Sequence, residues 1–249
     1  MSSPASFHHA VHAAVCDRIE PWEHGTAVFI TSHPTYRVYN CLRVEDGALG
    51  VDAAELLEAA ERLQSSLTHR AVEVEDEWAG ARLRASFEAL GWETERLVWM
   101  GLEGPARGGT APVEVSEVPF ARTTPLRAAW FAEEPGGADD GSPAFLAEVE
   151  EVAALRGSRA LLAWGGSGEP VGYVTFTAAG DASAVDEAWV QPHQRGAGIG
   201  AALVAGAVAA AGTPRTWIVA DDERDAKRLY ARLGFEPAWI QHVFTRVPT

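Results

Sequence analysis

The chain has 249 residues, of which 47% are hydrophobic and 22% charged, and its formal net charge is −15. This is the composition of a globular protein with enough apolar material for a core, and the length suits one large or two small domains. The charge argues against a nucleic-acid partner, whose phosphates it would repel; no apolar run approaches the roughly 20 residues of a membrane span, and the N-terminus lacks the basic and apolar segments of a secretory signal.

In chain order, a first helix carries His8, His9 and His12. Imidazoles at i, i+4 can bind metal, but no cysteine or further ligand pattern joins them, so a solvated helix face is expected and no metal. Cys16 and Cys41 set up no disulfide framework, and reduced thiols in a cytoplasmic protein are expected. A strand at Cys41–Val44 is followed by a helix from Asp52 to Gln64, a strand from Ala71 to Val74, a helix from Gly80 to Leu90 and a strand from Arg96 to Leu102. The Gly- and Pro-rich stretch from Gly101 to Pro112 then reads as a linker. It divides the chain into residues 1–103, a connector at 104–111, and residues 112–249.

Beyond it comes a strand at Val113–Val118, helices at Thr124–Glu133 and Ser142–Arg156, and strands at Ala160–Trp164 and Pro170–Thr177. A strand from Ala184 to Val190 ends at Gln191-Pro192, and an apolar helix running to Ala211 is closed by Gly212 and Pro214. Strand Thr216–Ala220 and a last helix–strand pair follow. A mixed sheet covered by helices is the expected architecture. The two halves echo one another: Phe87-Glu88-Ala89-Leu90-Gly91-Trp92 parallels Tyr230-Ala231-Arg232-Leu233-Gly234-Phe235.

Between strand and apolar helix lies Gln194-Arg195-Gly196-Ala197-Gly198-Ile199-Gly200-Ala201. Glycines at the mouth of a helix leave its first N–H groups uncovered, and these donors with the positive dipole end suit phosphate oxygens. Arg195 adds a positive charge at the rim. A Walker A loop is excluded because no Gly-Lys-Ser/Thr follows. Gly196, Gly198 and Ala201 also fit a dinucleotide fingerprint, with Asp221 as its acid, but the remaining chain is too short for such a sheet.

Arg195-Gly196-Ala197-Gly198-Ile199-Gly200 resembles the R-x-x-G-x-G/A loop of the GNAT N-acetyltransferase superfamily. Ala226-Lys227-Arg228-Leu229-Tyr230-Ala231-Arg232-Leu233-Gly234-Phe235 resembles that family's second marker, in the right order. One departure is Glu223, where the family often carries asparagine. The resemblance covers residues 112–247 and implies an α/β (α+β) acyl-CoA N-acyltransferase fold of tandem type, with residues 1–103 a degenerate half. In that half Leu49, Asp52 and Ala54 stand in for Arg195, Gly198 and Gly200. Asp52 and Glu55 are expected to cap the helix internally, and Phe87 replaces Tyr230.

The resemblance further implies acetyl-CoA as cosubstrate, gripped by Arg195, Gly196, Ala197, Gly198, Ile199, Gly200 and Ala201. The backbone of Ala188, Trp189 and Val190 is expected beside the thioester, one N–H facing its carbonyl oxygen. Tyr230 is the expected acid for the leaving thiolate, the alternative being a plain core residue at helical spacing with Leu229 and Leu233. A base is needed for an amine with a pKa near ~10.4. Asp186 and Glu187 are placed on opposite strand faces by alternation, so at most one points into the cleft; Glu187 is the preferred one, the alternative being that both are solvent-facing edge carboxylates. Glu133, Glu134, Asp139 and Asp140 are acids that draw in a cationic acceptor or simply a solvated loop around Gly136-Gly137. Trp130 and Trp189 are candidate walls of the acceptor pocket, and His193 reads as a surface residue. The implied partner is a small-molecule or peptide primary amine, with a homodimer left open. The alternatives are a non-catalytic acyl-CoA-binding or regulatory module, and a protein-interaction scaffold.

Overall fold

The structure, a computed structural model, describes residues 3–45, 50–109, 113–133, 141–223 and 225–247. Leu49, Thr110, Ala111, Pro112, Glu134, Gly136, Gly137, Asp139 and Asp140 lie outside them. The chain opens with α1 (Pro4–Val15), β1 (Arg18–Trp22), β2 (Gly25–Phe29), β3 (Asn40–Val44) and α2 (Ala53–Leu63). Next come β4 (Arg70–Val74), α3 (Glu77–Ala89), β5 (Glu93–Glu103), β6 (Glu114–Val118), α4 (Thr124–Glu133) and α5 (Pro143–Arg156). It closes with β7 (Arg159–Trp164), β8 (Pro170–Ala179), β9 (Ala182–Val190), α6 (Ile199–Ala211), β10 (Arg215–Asp221), α7 (Ala226–Leu233) and β11 (Glu236–Arg246). No described helix is long and apolar enough to cross a membrane.

Two compact units form. One is built from His8–Trp99, Asp221–Glu223 and Trp239–Thr249, the other chiefly from Met100–Ala220 and Arg224–Ala238. β5 and β11 each contribute residues to both.

In the N-terminal unit the strands run in the order β1-β2-β3-β4-β11-β5. Its core gathers Leu42, Val72, Leu56, Leu83 and Phe87. Phe87, fully buried, stacks on Phe244 with centroids 4.3 Å apart. Asp52 caps α2 by accepting from Glu55 N–H at 2.9 Å, the internal cap expected there. Parallel strands β3 and β4 stay paired through Val44 and Val74, and Glu75 N–H still reaches Val44 O at 3.0 Å.

The helix face of α1 is not solvated, which corrects the expectation for His8 and His12. Both are buried, and His8 Nε2 lies 2.8 Å from Glu73 Oε2. His9 Nε2 meets Glu75 Oε1 at 2.5 Å. Carboxylates brought by β4 from more than 60 residues away satisfy the rings, a partner no local spacing reveals. Cys16 and Cys41 are free and buried, and burial pushes the Cys16 thiol up to about 12.

In the C-terminal unit the order is β5-β10-β9-β8-β7-β6, antiparallel from β9 to β6 and parallel between β9 and β10. Start and stop signals set its helices. Ser142 caps α5 with Pro143 behind it, and Gly157 closes it at φ 67°. α6 is apolar on most sides, with Leu203, Val204 and Ala207 fully buried against the sheet, and ends at Gly212 in the left-handed region.

Candidate active site

β9 holds the site together because its pairing changes along its length. Register with β10 runs from Ala182–Arg215 to Val185–Ile218 and stops there, although both strands continue. Among the described residues, the stretch Asp186–Val190 therefore has no ladder partner on its β10 side, which leaves a gap in the pairing there. On the other edge β8 stays paired, but with a bulge: Thr175 opposes Glu187 while Phe176 opposes Val185, which leaves Asp186 as the extra residue. Past the bulge, Gln191 N–H donates to Val171 O of the β8 edge at 2.9 Å. Backbone groups alternate along a strand, so the N–H groups of Ala188 and Val190 point the other way, into the gap.

The bulge corrects the expectation for the two acids. Thr177 Oγ1 donates to Asp186 at 2.8 Å and Tyr173 Oη donates to Glu187 at 3.1 Å. Tyr173 and Thr177 share one face of β8, so both carboxylates lie on that face. An inserted residue breaks the two-residue alternation on which opposite faces depended.

Each acid is also held by an arginine. Arg156 pairs with Asp186. Arg127, almost fully buried on α4, grips Glu187 with both terminal nitrogens, at 2.8 and 2.7 Å. Sequence reasoning missed Arg127, Arg156 and Tyr173; the arginines come from separate helices, 60 and 30 residues from their partners, and nothing local signals them. Beside them Leu126, Leu162, Tyr173 and Trp189 form a cluster onto which Trp130 packs.

The loop after β9 turns through Pro192–Gln194 to Gly196 and Gly198, both at φ 82°. Gly198 caps α6 without any side-chain bond, and the helix's first internal bond is Ala202 N–H to Gly198 O. The amides of Ile199, Gly200 and Ala201 therefore precede the helical ladder. Gly196 and Gly198 are exposed, and a Cβ on Gly196 would meet nothing within 4 Å. Such an open cradle of donors fits an anion. Gly200 sits 3.5 Å (from an ideal Cβ) from Leu229 of α7 and 3.8 Å from Val190, which joins strand, loop and last helix at one place.

Arg195 is not a bare rim charge. Its Nε donates to Val190 O at 3.0 Å and its Nη2 to Glu133 Oε2 at 2.7 Å. His193 is exposed, as expected. Tyr230 follows Leu229 and is buried, and burial alone pushes its phenol above the ordinary tyrosine value. Among the described residues its hydroxyl makes no hydrogen bond, and no contact ties it to Glu187. Glu223, in the N-terminal unit, accepts from Arg84 at 2.5 Å.

The described residues hold one cluster of metal-ligand type, His8, His12 and Glu73, with donor atoms within 4.8 Å of one another. The Arg43 guanidinium, 3.5 Å from His12 Nδ1, already supplies positive charge there, and the cluster reads as a paired buried network.

A parallel pair that parts beside a glycine loop opening a buried helix is an α/β arrangement with an open anion-type mouth at the carboxyl end of its strands. Residues 156–237 match the family model of the acetyltransferase (GNAT) domain. Over its length the fold is similar to a GCN5-related N-acetyltransferase from Kribbella flavida, with 20% identity, 100% of this chain and 97% of that chain covered, and TM-score 0.66. It is similar to a functionally unknown conserved protein from Staphylococcus epidermidis, with 16% identity, coverage of 94% and 95%, and TM-score 0.72. A tandem GNAT protein from the clavulanic acid biosynthesis pathway matches with 16% identity, coverage of 78% and 69%, and TM-score 0.55. No curated protein matches the chain.

Proposed function

We propose that this chain is an acetyl-CoA-dependent N-acetyltransferase that passes the acetyl group to a primary amine by direct attack in a ternary complex. The observation that carries the proposal is the parting of β9 and β10 after Val185 and Ile218, beside the uncapped start of α6. When bound, acetyl-CoA supplies the activated thioester. The amides of Gly196 to Ala201 and the positive end of α6 take up its diphosphate. The N–H of Ala188 or Val190 donates to the thioester oxygen as charge builds on it.

Glu187 is assigned as the group that receives the amine proton, directly or through water. Arg127 and Tyr173 fix its orientation. Tyr230 is assigned as the donor to the leaving thiolate, and its burial keeps it protonated over the neutral range. Trp130 and Trp189 wall the acceptor side. Residues 1–103 are read as a structural half: Asp52 fills the cap that Gly198 leaves open, Phe87 is core, and β3 and β4 remain zipped. Two free thiols suit a reducing, cytoplasmic setting.

The clamp of Arg127 on both Glu187 oxygens favours one other reading, a non-catalytic acyl-CoA-binding module. Calorimetry with coenzyme A, together with thiol-release assays over a panel of primary amines, separates the two. Binding with turnover supports the enzyme; binding without turnover on any amine supports the module. If coenzyme A fails to bind at millimolar concentration, both are wrong.

A further inference from the structure

We propose that Glu133 is an internal stand-in for coenzyme phosphate at Arg195, and that it thereby sets affinity and selectivity for phosphate-bearing ligands. The proposal rests on the coenzyme reading above. Glu133 is the last residue of α4, and a single oxygen of its carboxylate, Oε2, accepts from Arg195 Nη2 at 2.7 Å and from Trp189 Nε1 at 2.8 Å. Arg195 bridges this carboxylate to the strand, through Val190 O at 3.0 Å, and its guanidinium carbon lies 6.0 Å from the centroid of the Trp189 ring. The arginine that opens the anion loop is thus already neutralised by an acid of its own chain. Arg195 holds the Glu133 carboxyl below the usual carboxylate range, so the acid is ionised at neutral pH.

A diphosphate settling on the amides from Gly196 to Ala201 brings a second anion to the same guanidinium. Two anions near one cation repel, so the phosphate must either share Arg195 or displace Glu133 from it. Displacement removes the acceptor of the Trp189 indole as well, which couples coenzyme binding to the wall of the acceptor side. A ligand without phosphate, such as pantetheine, does not contest the pair. Both side chains are partly exposed, 49% for Arg195 and 31% for Glu133, so the competition is modest.

The test is a double-mutant cycle read by calorimetry at low salt, with coenzyme A and pantetheine as probes. The intact chain, Glu133→Gln, Arg195→Gln and the double variant are compared. Glu133→Gln is expected to bind coenzyme A about two- to fivefold more tightly and to leave pantetheine unmoved. In the Arg195→Gln background that gain is expected to vanish. Unchanged or weaker coenzyme A binding by Glu133→Gln overturns the proposal, as does a gain that persists without Arg195. Coenzyme A that binds none of the four proteins overturns the coenzyme reading itself, and Glu133 as its competitor falls with it.

Discussion

Tyr230 differs from a surface tyrosine in one physical respect: removal from water disfavours its phenolate, so its proton is retained to higher pH. Its protonated form therefore persists above pH ~10, and loss of this donor is not expected to limit turnover below that. Tyr230→Phe is expected to lower kcat at least tenfold, as general acids contribute roughly 10²–10⁴-fold, with coenzyme A affinity retained. Steady-state kinetics across pH and calorimetry check this; a variant with unchanged kcat removes Tyr230 from the chemistry. Arg127 offers a second test. With Arg127→Met the Glu187 carboxylate keeps, among the described residues, the Tyr173 hydroxyl alone, and breaking a largely buried pair costs about 3 kcal/mol. Urea unfolding measures that loss, and a change within 0.5 kcal/mol would show that water replaces the guanidinium. Tyr230 can be proposed from the sequence because its marker is contiguous. Arg127 cannot, since tertiary packing alone brings α4 onto β9.

Helices were the most legible elements. Ser142, Gly157 and Gly212 punctuate the sequence where the structure starts and stops α5 and α6, and α4 spans the expected Thr124–Glu133. Strand details were less so. The β1–β2 hairpin contains Pro21, which weakens a strand signal, and the bulge at Asp186 arises from pairing with β8, which no single strand encodes. The two helix mouths offer a matched comparison. Gly198 opens α6 at φ 82°, where an alanine is strained by roughly 1–2 kcal/mol. Gly198→Ala is expected to raise the dissociation constant for coenzyme A at least tenfold. Asp52→Ala loses the acceptor for Glu55 N–H and is expected to lower Tm by about 2–4 °C, from a cap worth about 1 kcal/mol, without touching coenzyme affinity. Thermal shift with and without coenzyme A distinguishes them. Equal loss of ligand-induced stabilisation in both variants would mean that α6 has no special part in binding.

On the scale of the molecule, the excess of acids says little about where pH sensitivity lies, because many carboxylates are held low by arginines. Hydrogen bonds from Arg246 and Arg70 lower Glu61, that from Arg84 lowers Glu88, and that from Arg159 lowers Glu117. Stability from such groups is present above their unfolded pKa, near ~4.3, and is lost only as pH falls through lower values. His242, in the N-terminal unit, acts in a different window. It is buried under Gly80, where an added Cβ would meet the ring at 2.3 Å, and neither ring nitrogen has a hydrogen-bond partner among the described residues. Burial first, then the charges of Arg96 and Arg84, lower its pKa against a smaller opposing effect of Glu77. Above pH ~6.5 the ring is neutral folded or unfolded and pH has no leverage. Below that the unfolded chain binds a proton that the folded ring refuses, so stability falls with pH until the depressed folded pKa is reached. His242→Leu keeps an apolar side chain beneath α3 and removes the titration. Urea unfolding at pH 7, 6 and 5 is expected to show a shallower decline for the variant than for the intact chain. Because two units can unfold separately, the comparison uses the change in midpoint between pH values for each protein, and parallel declines would rule out His242 as the source.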